Sequence, residues 1–141
     1  MRSALKQCSV IVIGVVAAIT SVVSPALAEL PLQVGVYRLG SKYIQIAQTG
    51  SRMCFRGFSI HGATTASISP DRENSGFYLI NGFDDTVFHQ SEIDTILFGS
   101  RNQLVSYSAD YEFPRDLGED LQRCLKSQQP FFERVSGGRG E

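Results

Sequence analysis

The sequence predicts a mainly β fold: a small antiparallel meander, arranged as a curled sheet or an up-and-down barrel, with one C-terminal helix disulfide-linked to the sheet. Three observations support this. Short strand-like runs separated by turn residues follow one another from residue 33 to 109. One helical pattern comes after them, near residues 117–127. Strands and helices do not alternate along the chain, which excludes a parallel, Rossmann-like sheet.

The N-terminal segment has the features of a secretory signal peptide. Two basic residues precede an apolar run over residues 10–23, and the small-residue pattern Ala26-Leu27-Ala28 follows a proline. We therefore predict a signal peptide over residues 1–28, cleaved after Ala28, and a secreted or periplasmic location. The apolar run is shorter than the roughly 20 residues of a membrane span, so no stable membrane anchor is expected after cleavage.

The rest of the chain predicts a single β-rich domain over residues 29–136, with a flexible glycine-rich tail over residues 137–141. Without Arg2 and Lys6, 11 basic residues stand against 14 acidic ones, a net charge of about −3. The basic residues are scattered. Nucleic acid is therefore not an expected partner, because binding to phosphates depends on clustered Lys and Arg.

The first three predicted strands have clear boundaries. QVGVYRL ends at Gly40-Ser41, and KYIQIAQ follows with a period of two before Gly50. The third run, RMCFRGFSI, places Cys54, Phe58 and Ile60 on one face and Phe55 on the other.

A polar segment over residues 62–76 follows, in which only a weak edge strand is predicted at Ala66 to Ser69. Regular runs then resume as GFYLIN, DTVFHQ, DTILFG and QLVSYSA, with a hairpin signal at Asn81-Gly82. The late run PFFERVSG is compatible with a last strand or with a packed arm.

The predicted helix spans Leu117 to Ser127, because Leu117, Leu121, Cys124 and Leu125 fall on one helix face. Asp116 is the expected capping residue, three positions before Glu119. Since Cys8 leaves with the signal peptide, Cys54 and Cys124 can form only one intramolecular bond in an oxidising compartment. A loop of this length makes that bond worth on the order of 4 kcal/mol.

Ser59 and His61 suggest a hydrolytic site, with Asp71, Asp84 or Asp85 as a third member. The geometry argues against it, because alternate side chains of one strand stand about 6.5 to 7 Å apart at their roots. The chain also lacks a G-x-S-x-G elbow, so no catalytic residue is assigned.

A metal site has equally little support in the sequence. His61 and His89 lie far apart, and neither an H-x-x-x-H nor a C-x-x-C spacing occurs. Asp84 and Asp85 lie outside any D-x-D-x-D-G calcium loop. No metal and no cofactor are expected.

Nine Phe and five Tyr, most of them in predicted strands, fill the core of the domain or line a ligand cavity in a barrel. Gly35-Val36-Tyr37 resembles the G-x-W opening of lipocalins, although the tryptophan is absent. That resemblance implies a barrel that carries a small apolar ligand.

Three functions are therefore considered. The first is an exported, non-enzymatic binding or interaction module with an unknown protein partner, which the lack of a catalytic signature favours. The second is a lipocalin-like barrel that carries a small apolar ligand, which predicts a cavity of a few hundred cubic ångströms. The third is a small extracytoplasmic hydrolase that uses Ser59, His61, or acids around Asp84.

Overall fold

The computed structural model of the protein describes residues 30–136. Nine strands and one helix occur in this range, with the bounds β1 Gly35–Leu39, β2 Lys42–Thr49, β3 Arg52–Ser59, β4 Gly62–Pro70, β5 Phe77–Ile80, β6 Thr86–Glu92, β7 Thr95–Ser100, β8 Gln103–Ala109, α1 Glu119–Lys126 and β9 Phe132–Ser136. The predicted mainly β fold with one late helix is confirmed. The predicted signal peptide (1–28) and the predicted tail (137–141) lie outside the described residues.

Strands β1 to β8 form a closed antiparallel barrel. Each strand pairs with the next along the chain, and β1 closes the circuit by pairing with β8 at Tyr37 opposite Ala109 and Arg38 opposite Ser108. Of the two arrangements that the sequence allows, the barrel is the one formed. Because the strands run alternately up and down, the turns after odd-numbered strands lie at one end and those after even-numbered strands at the other.

Most of the barrel interior is occupied by the apolar residues that alternate along the strands. On β2 and β3 these are Ile44, Ile46 and Phe55, and Phe88 and Ile96 continue the same layer on β6 and β7. The rings of Phe55 and Phe88 meet edge to face, with centroids 5.1 Å apart. Period-two patterning therefore selects the inward face of each strand, as the sequence of β2 predicts.

The end of the barrel at the even-numbered turns is closed by the segment that precedes β1. Leu32 is buried in the core, and the backbone N–H of Gln33 donates a hydrogen bond of 2.9 Å to Oε1 of Gln90. The amide nitrogen of Gln90 in turn donates to the carbonyl oxygens of Glu92, Ile93 and Thr95, around the β6–β7 turn. The Gln90 side chain thus links the segment before β1 to the β6–β7 turn.

Helix α1 packs on the outside of the barrel. Its buried residues Leu121 and Cys124 contact Ala47 of β2 and Cys54 of β3. The Cys54–Cys124 disulfide is present, with the two Cα atoms 6.3 Å apart, so the predicted link between helix and sheet is confirmed. This bond is consistent with an extracytoplasmic location.

The helix is shorter at its start than the sequence suggests. It begins after Gly118, which is the N-cap residue, and no side chain caps it, so the expected role of Asp116 is wrong. The carbonyl oxygens of Arg115 and Asp116 instead accept hydrogen bonds from Nε2 of Gln45. Residues 115–116 therefore bind to β2 as extended chain, which leaves Leu117 outside the helix.

Strand β4 is a full nine-residue strand rather than the weak edge strand expected at Ala66 to Ser69. It pairs with β3 from Gly62 to Ile68. Its inward positions carry small residues, Thr64 and Ala66 among them, and its outward Thr65 and Ser67 are covered by other elements. A strand buried behind such covers needs no alternation of large apolar and polar residues, which is why the pattern is weak.

Strand β9 fills a gap in the barrel wall, which settles the open question about the PFFERVSG run in favour of a strand. The C-terminal part of β4, residues 68–70, pairs with β5, whereas its N-terminal part, residues 62–66, pairs with β9. The change of partner occurs at Ser67. There the Ser67 N–H donates to the Phe131 carbonyl at 3.0 Å, and the Ser67 carbonyl accepts from the Asn81 N–H at 2.9 Å. The Phe132 ring lies so close to Gly82 (φ +91°) that any side chain at that position would collide with it.

Candidate binding cavity

A cavity of about 380 Å³ opens at the end of the barrel opposite the plug formed by Leu32 and Gln33. It lies between the start of β2, the β3–β4 turn and the inner face of β9. The strands make room for it because inward side chains become small near this end: Phe55 is followed on the same face by Gly57, and Ala66 is preceded by Thr64. A change in side-chain size along two neighbouring strands therefore leaves the barrel unfilled here.

Aromatic side chains form the inner wall of the cavity. Phe55, Phe83, Phe98 and Tyr107 line it together with Ile44. The Phe98 ring lies 6.3 Å from the Phe55 ring and meets the Tyr107 ring edge to face at 5.9 Å, so the rings hold one another in place. The wall is thus preformed and mainly apolar.

Tyr107 brings a polar group into this wall. Its side chain is only 5% exposed, and its hydroxyl has no hydrogen-bond partner among residues 30–136. A tyrosine hydroxyl is protonated at neutral pH, and burial raises the pKa of Tyr107 further above its ordinary value. Buried hydroxyls nearly always have a partner, and a donor left without one in a cavity wall is suited to a polar atom of a bound molecule.

Basic side chains surround the mouth. Lys42, His61 and Arg134 line the cavity, whereas no Asp or Glu of the described range does. Arg134 is fixed by two contacts: its Nε lies 3.4 Å from Oγ1 of Thr64, and its Cζ lies 5.4 Å from the centroid of the Phe132 ring. The mouth therefore has a positive edge above an apolar wall.

The structure brings Ser59 and His61 to this mouth, but not as a catalytic pair. Ser59 ends β3, and His61 lies in the following turn rather than in the strand. The Ser59 hydroxyl accepts a hydrogen bond of 3.1 Å from the backbone N–H of His61. This contact tightens the turn and does not remove a proton from the serine.

The other sequence candidates lie away from the cavity. His89 is on β6, where its ring stacks on Phe77 at 4.8 Å and its Nδ1 lies 2.9 Å from the Gly76 carbonyl. Asp84 and Asp85 are exposed in the β5–β6 loop. Within the part of the chain that the structure describes, no three His, Cys, Asp or Glu side chains come together as metal ligands.

Three residues that matter for the cavity are absent from the sequence prediction. Gly57 and Thr64 create the space, and Arg134 supplies charge at the mouth. A usable signal was present for Gly57, because a glycine within an apolar strand often marks a place where another group approaches closely. No sequence signal pointed to Arg134, because its place at the mouth depends on the pairing of β9 with β4.

A separate polar cluster lies around Asp71, in the β4–β5 loop. Its carboxylate accepts hydrogen bonds from the Glu73 N–H at 2.9 Å, the Asn74 amide at 3.1 Å and the Arg101 guanidinium at 2.8 Å. The Glu73 N–H and the Asn74 amide, opposed by burial and helped by Arg101, lower the pKa of Asp71 to about 2. Every group around this carboxylate is engaged, so the cluster ties the loop to the β7–β8 turn rather than forming a site.

Comparisons with protein-family models, with curated proteins and with solved structures find no match to this chain. In residues 30–136, no helix is both long and apolar enough to cross a membrane. The cavity and its lining are therefore the basis for a functional argument.

Proposed function

We propose that this protein is an exported, non-enzymatic binding protein that holds a small, mainly apolar molecule in the open end of its barrel. In this proposal residues 1–28 are the signal peptide, and the mature chain acts in the periplasm or outside the cell. The cavity of about 380 Å³ is in the size range of small-molecule sites, and it is apolar with few polar groups, as such sites usually are. A filled barrel would have favoured an interaction module instead.

The observation that carries the proposal is the aromatic wall of the cavity. Phe55, Phe83, Phe98 and Tyr107 line a space at the open end of the barrel that the side chains of the described residues leave unfilled. Contact with these rings would remove the apolar surface of a small molecule from water, which is the main source of affinity in such sites.

A second candidate function is an interaction module that binds another protein. The observation in its favour is an outer apolar patch beside the cavity mouth, where Tyr43, Phe58 and Phe113 pack together and Ile60 is 78% exposed. Tyr43 and Phe58 also line the cavity, whereas Ile60 does not. Exposed apolar groups of this kind occur at protein interfaces. No observation favours the third candidate, a hydrolase.

The test of the proposal uses N-phenyl-1-naphthylamine, a neutral apolar dye whose fluorescence rises when it leaves water. We expect saturable binding with one site per chain. Gly57→Leu should abolish this binding, because Gly57 lines the cavity and the new side chain would extend into it; its Cβ would lie 3.2 Å from Cε2 of Phe55, so the Phe55 ring must shift slightly. Ser106→Leu is the matched control, since it adds the same side chain on the exposed face of β8 and should leave binding unchanged.

Thermal unfolding of both variants checks that they fold. Dye binding that survives Gly57→Leu in a folded protein but is lost in Ile60→Asp would place the dye on the outer patch and overturn the proposal. Absence of dye binding to the wild-type protein would also overturn it. Tyr107→Phe keeps the aromatic ring of the cavity wall and should leave dye binding unaffected.

A further inference from the structure

The charges at the cavity mouth are all of one sign. Lys42 and Arg134 line it, and no carboxylate of residues 30–136 does so. This contrasts with the sequence downstream of Ala28, in which acidic residues outnumber basic ones. The positive charge at the mouth is therefore a local feature, because the overall composition of this part of the chain is acidic.

Three other arginines of the barrel have carboxylate partners. Arg38 pairs with Asp110, Arg56 with Asp120, and Arg101 with Asp71. Arg134 forms no such pair with any carboxylate between residues 30 and 136, and neither does Lys42. Arg52, Arg72, Arg115 and Lys126 also lack a carboxylate partner among these residues, but they do not line the cavity, whereas Lys42 and Arg134 do.

Arg134 is also held in place for this role. Its contacts come from neighbours on one face of the β4–β9 pair, because Thr64 pairs with Arg134 and Phe132 lies two residues before it on β9. They leave the terminal nitrogens of the guanidinium without a carboxylate, and those nitrogens are suited to bind one in a bidentate manner. Lys42 adds a second positive charge at the start of β2.

We infer that the bound molecule is a single-chain amphiphile with a carboxylate head, which lies between Lys42 and Arg134 while its apolar chain contacts the aromatic wall. This inference rests on the proposed function and specifies its ligand class. The apolar wall supplies most of the affinity, and the basic edge sets the orientation, with the head outward. Because these cations are exposed, the preference for the anion weakens as salt screens the charges.

The test compares ligands of equal chain length that differ in the head group. Decanoate, 1-decanol and decyltrimethylammonium are each titrated against the protein loaded with N-phenyl-1-naphthylamine. We expect Arg134→Gln and Lys42→Gln each to raise the Kd of decanoate by up to about fivefold at low salt, and by more in combination. The Kd of 1-decanol should not change, and the Kd of decyltrimethylammonium should fall.

Two controls separate charge from structure. Arg72→Gln removes an exposed arginine from the β4–β5 loop, away from the cavity lining, and should leave all three ligands unaffected. Arg134→Lys keeps the charge and should restore most of the decanoate affinity. Melting temperatures close to that of the wild type are expected for all of these surface variants.

Several outcomes would overturn the inference, and they differ from those that overturn the proposed function. If decanoate and 1-decanol displace the dye but the Arg134→Gln and Lys42→Gln variants bind decanoate as the wild type does, the ligand class is wrong and the cavity function stands. If neither ligand displaces a dye whose binding Gly57→Leu abolishes, a single-chain ligand is wrong and the cavity function stands. If the dye itself does not bind, the cavity function fails. Cosedimentation with vesicles of anionic phospholipid that is lost in Arg134→Gln, without any effect on decanoate, would assign these cations to a membrane surface instead.

Discussion

The Nε atom of Arg56 lies 2.7 Å from Oδ2 of Asp120, so an outward side chain of β3 and a helix side chain form an ion pair across the helix–barrel interface. Thr65 of β4 donates to the same oxygen at 3.0 Å. Burial raises the pKa of Asp120, but the hydrogen bonds from Arg56 and Thr65, the Arg56 charge and the Leu121 N–H together lower it. One carboxylate therefore joins the helix to two strands.

We expect Asp120→Ala to reduce the free energy of unfolding by about 2 kcal/mol, because it leaves Arg56 and Thr65 without their partner. Urea unfolding of the purified protein measures this change. Glu119→Ala is the control, since the Glu119 side chain is almost fully exposed, and its effect should stay within about 0.5 kcal/mol. Equal effects of the two substitutions would show that the Asp120 contacts do not hold the helix.

The disulfide gives a second prediction. Replacing Cys54 and Cys124 by alanine should lower the free energy of unfolding by about 4 kcal/mol, because the bond closes a loop of 70 residues in the unfolded chain. Each single substitution should cost nearly as much as the pair. If the oxidised wild type and the double variant have the same urea midpoint, the bond contributes nothing to stability.

Asp71 gives a prediction about pH. Because its pKa in the folded protein is lowered to about 2, the charged form contributes stability that is complete above the unfolded pKa near 4 and is lost as the pH falls toward 2. Asp71→Asn should therefore be less stable than the wild type at pH 7. The difference should shrink between pH 4 and pH 2, as measured by urea midpoints across that range. A stability difference between the two proteins that stays constant from pH 7 to pH 2 would contradict the lowered pKa of Asp71.

Gln90 gives a prediction about the closed end of the barrel. It is 1% exposed and bonds to Gln33 and to three carbonyl oxygens around the β6–β7 turn. Gln90→Leu should lower the free energy of unfolding by about 1–3 kcal/mol, since buried backbone groups lose their partners. Hydrogen exchange should also become faster at the Gln33 N–H. Unchanged exchange there would mean that the plug holds without this glutamine.

Much of the fold was predictable because local patterns determine it. The alternation in β2 identifies its buried Ile44 and Ile46, and the helical spacing of Leu121 and Cys124 predicts the face that the disulfide fixes. The extent of β4 was not predictable, because its outward Thr65 is covered by α1, which is more than 50 residues away in sequence. Asp116 failed as a cap for a related reason: Gln45, 71 residues away, binds its carbonyl.

The candidate site was less accessible to sequence reasoning than the fold. Ser59 and His61 drew attention because of their chemistry, and both do line the cavity mouth, but His61 lies in a turn. The cavity itself depends on side chains that are small or missing, as at Gly57. No sequence pattern identifies a cavity that results from missing side-chain volume.

Strand β9 completes the cavity from a distant part of the chain: Arg134 and Thr64 meet across 70 residues of sequence. The circuit closes between β1 and β8 without this segment, but β9 covers the part of β4 that β5 does not reach, and the mouth takes its arginine from β9. During synthesis the pairing of β1 with β8 can therefore be made before the last wall of the cavity is present. The cavity would then be completed only when the final segment of the domain has docked.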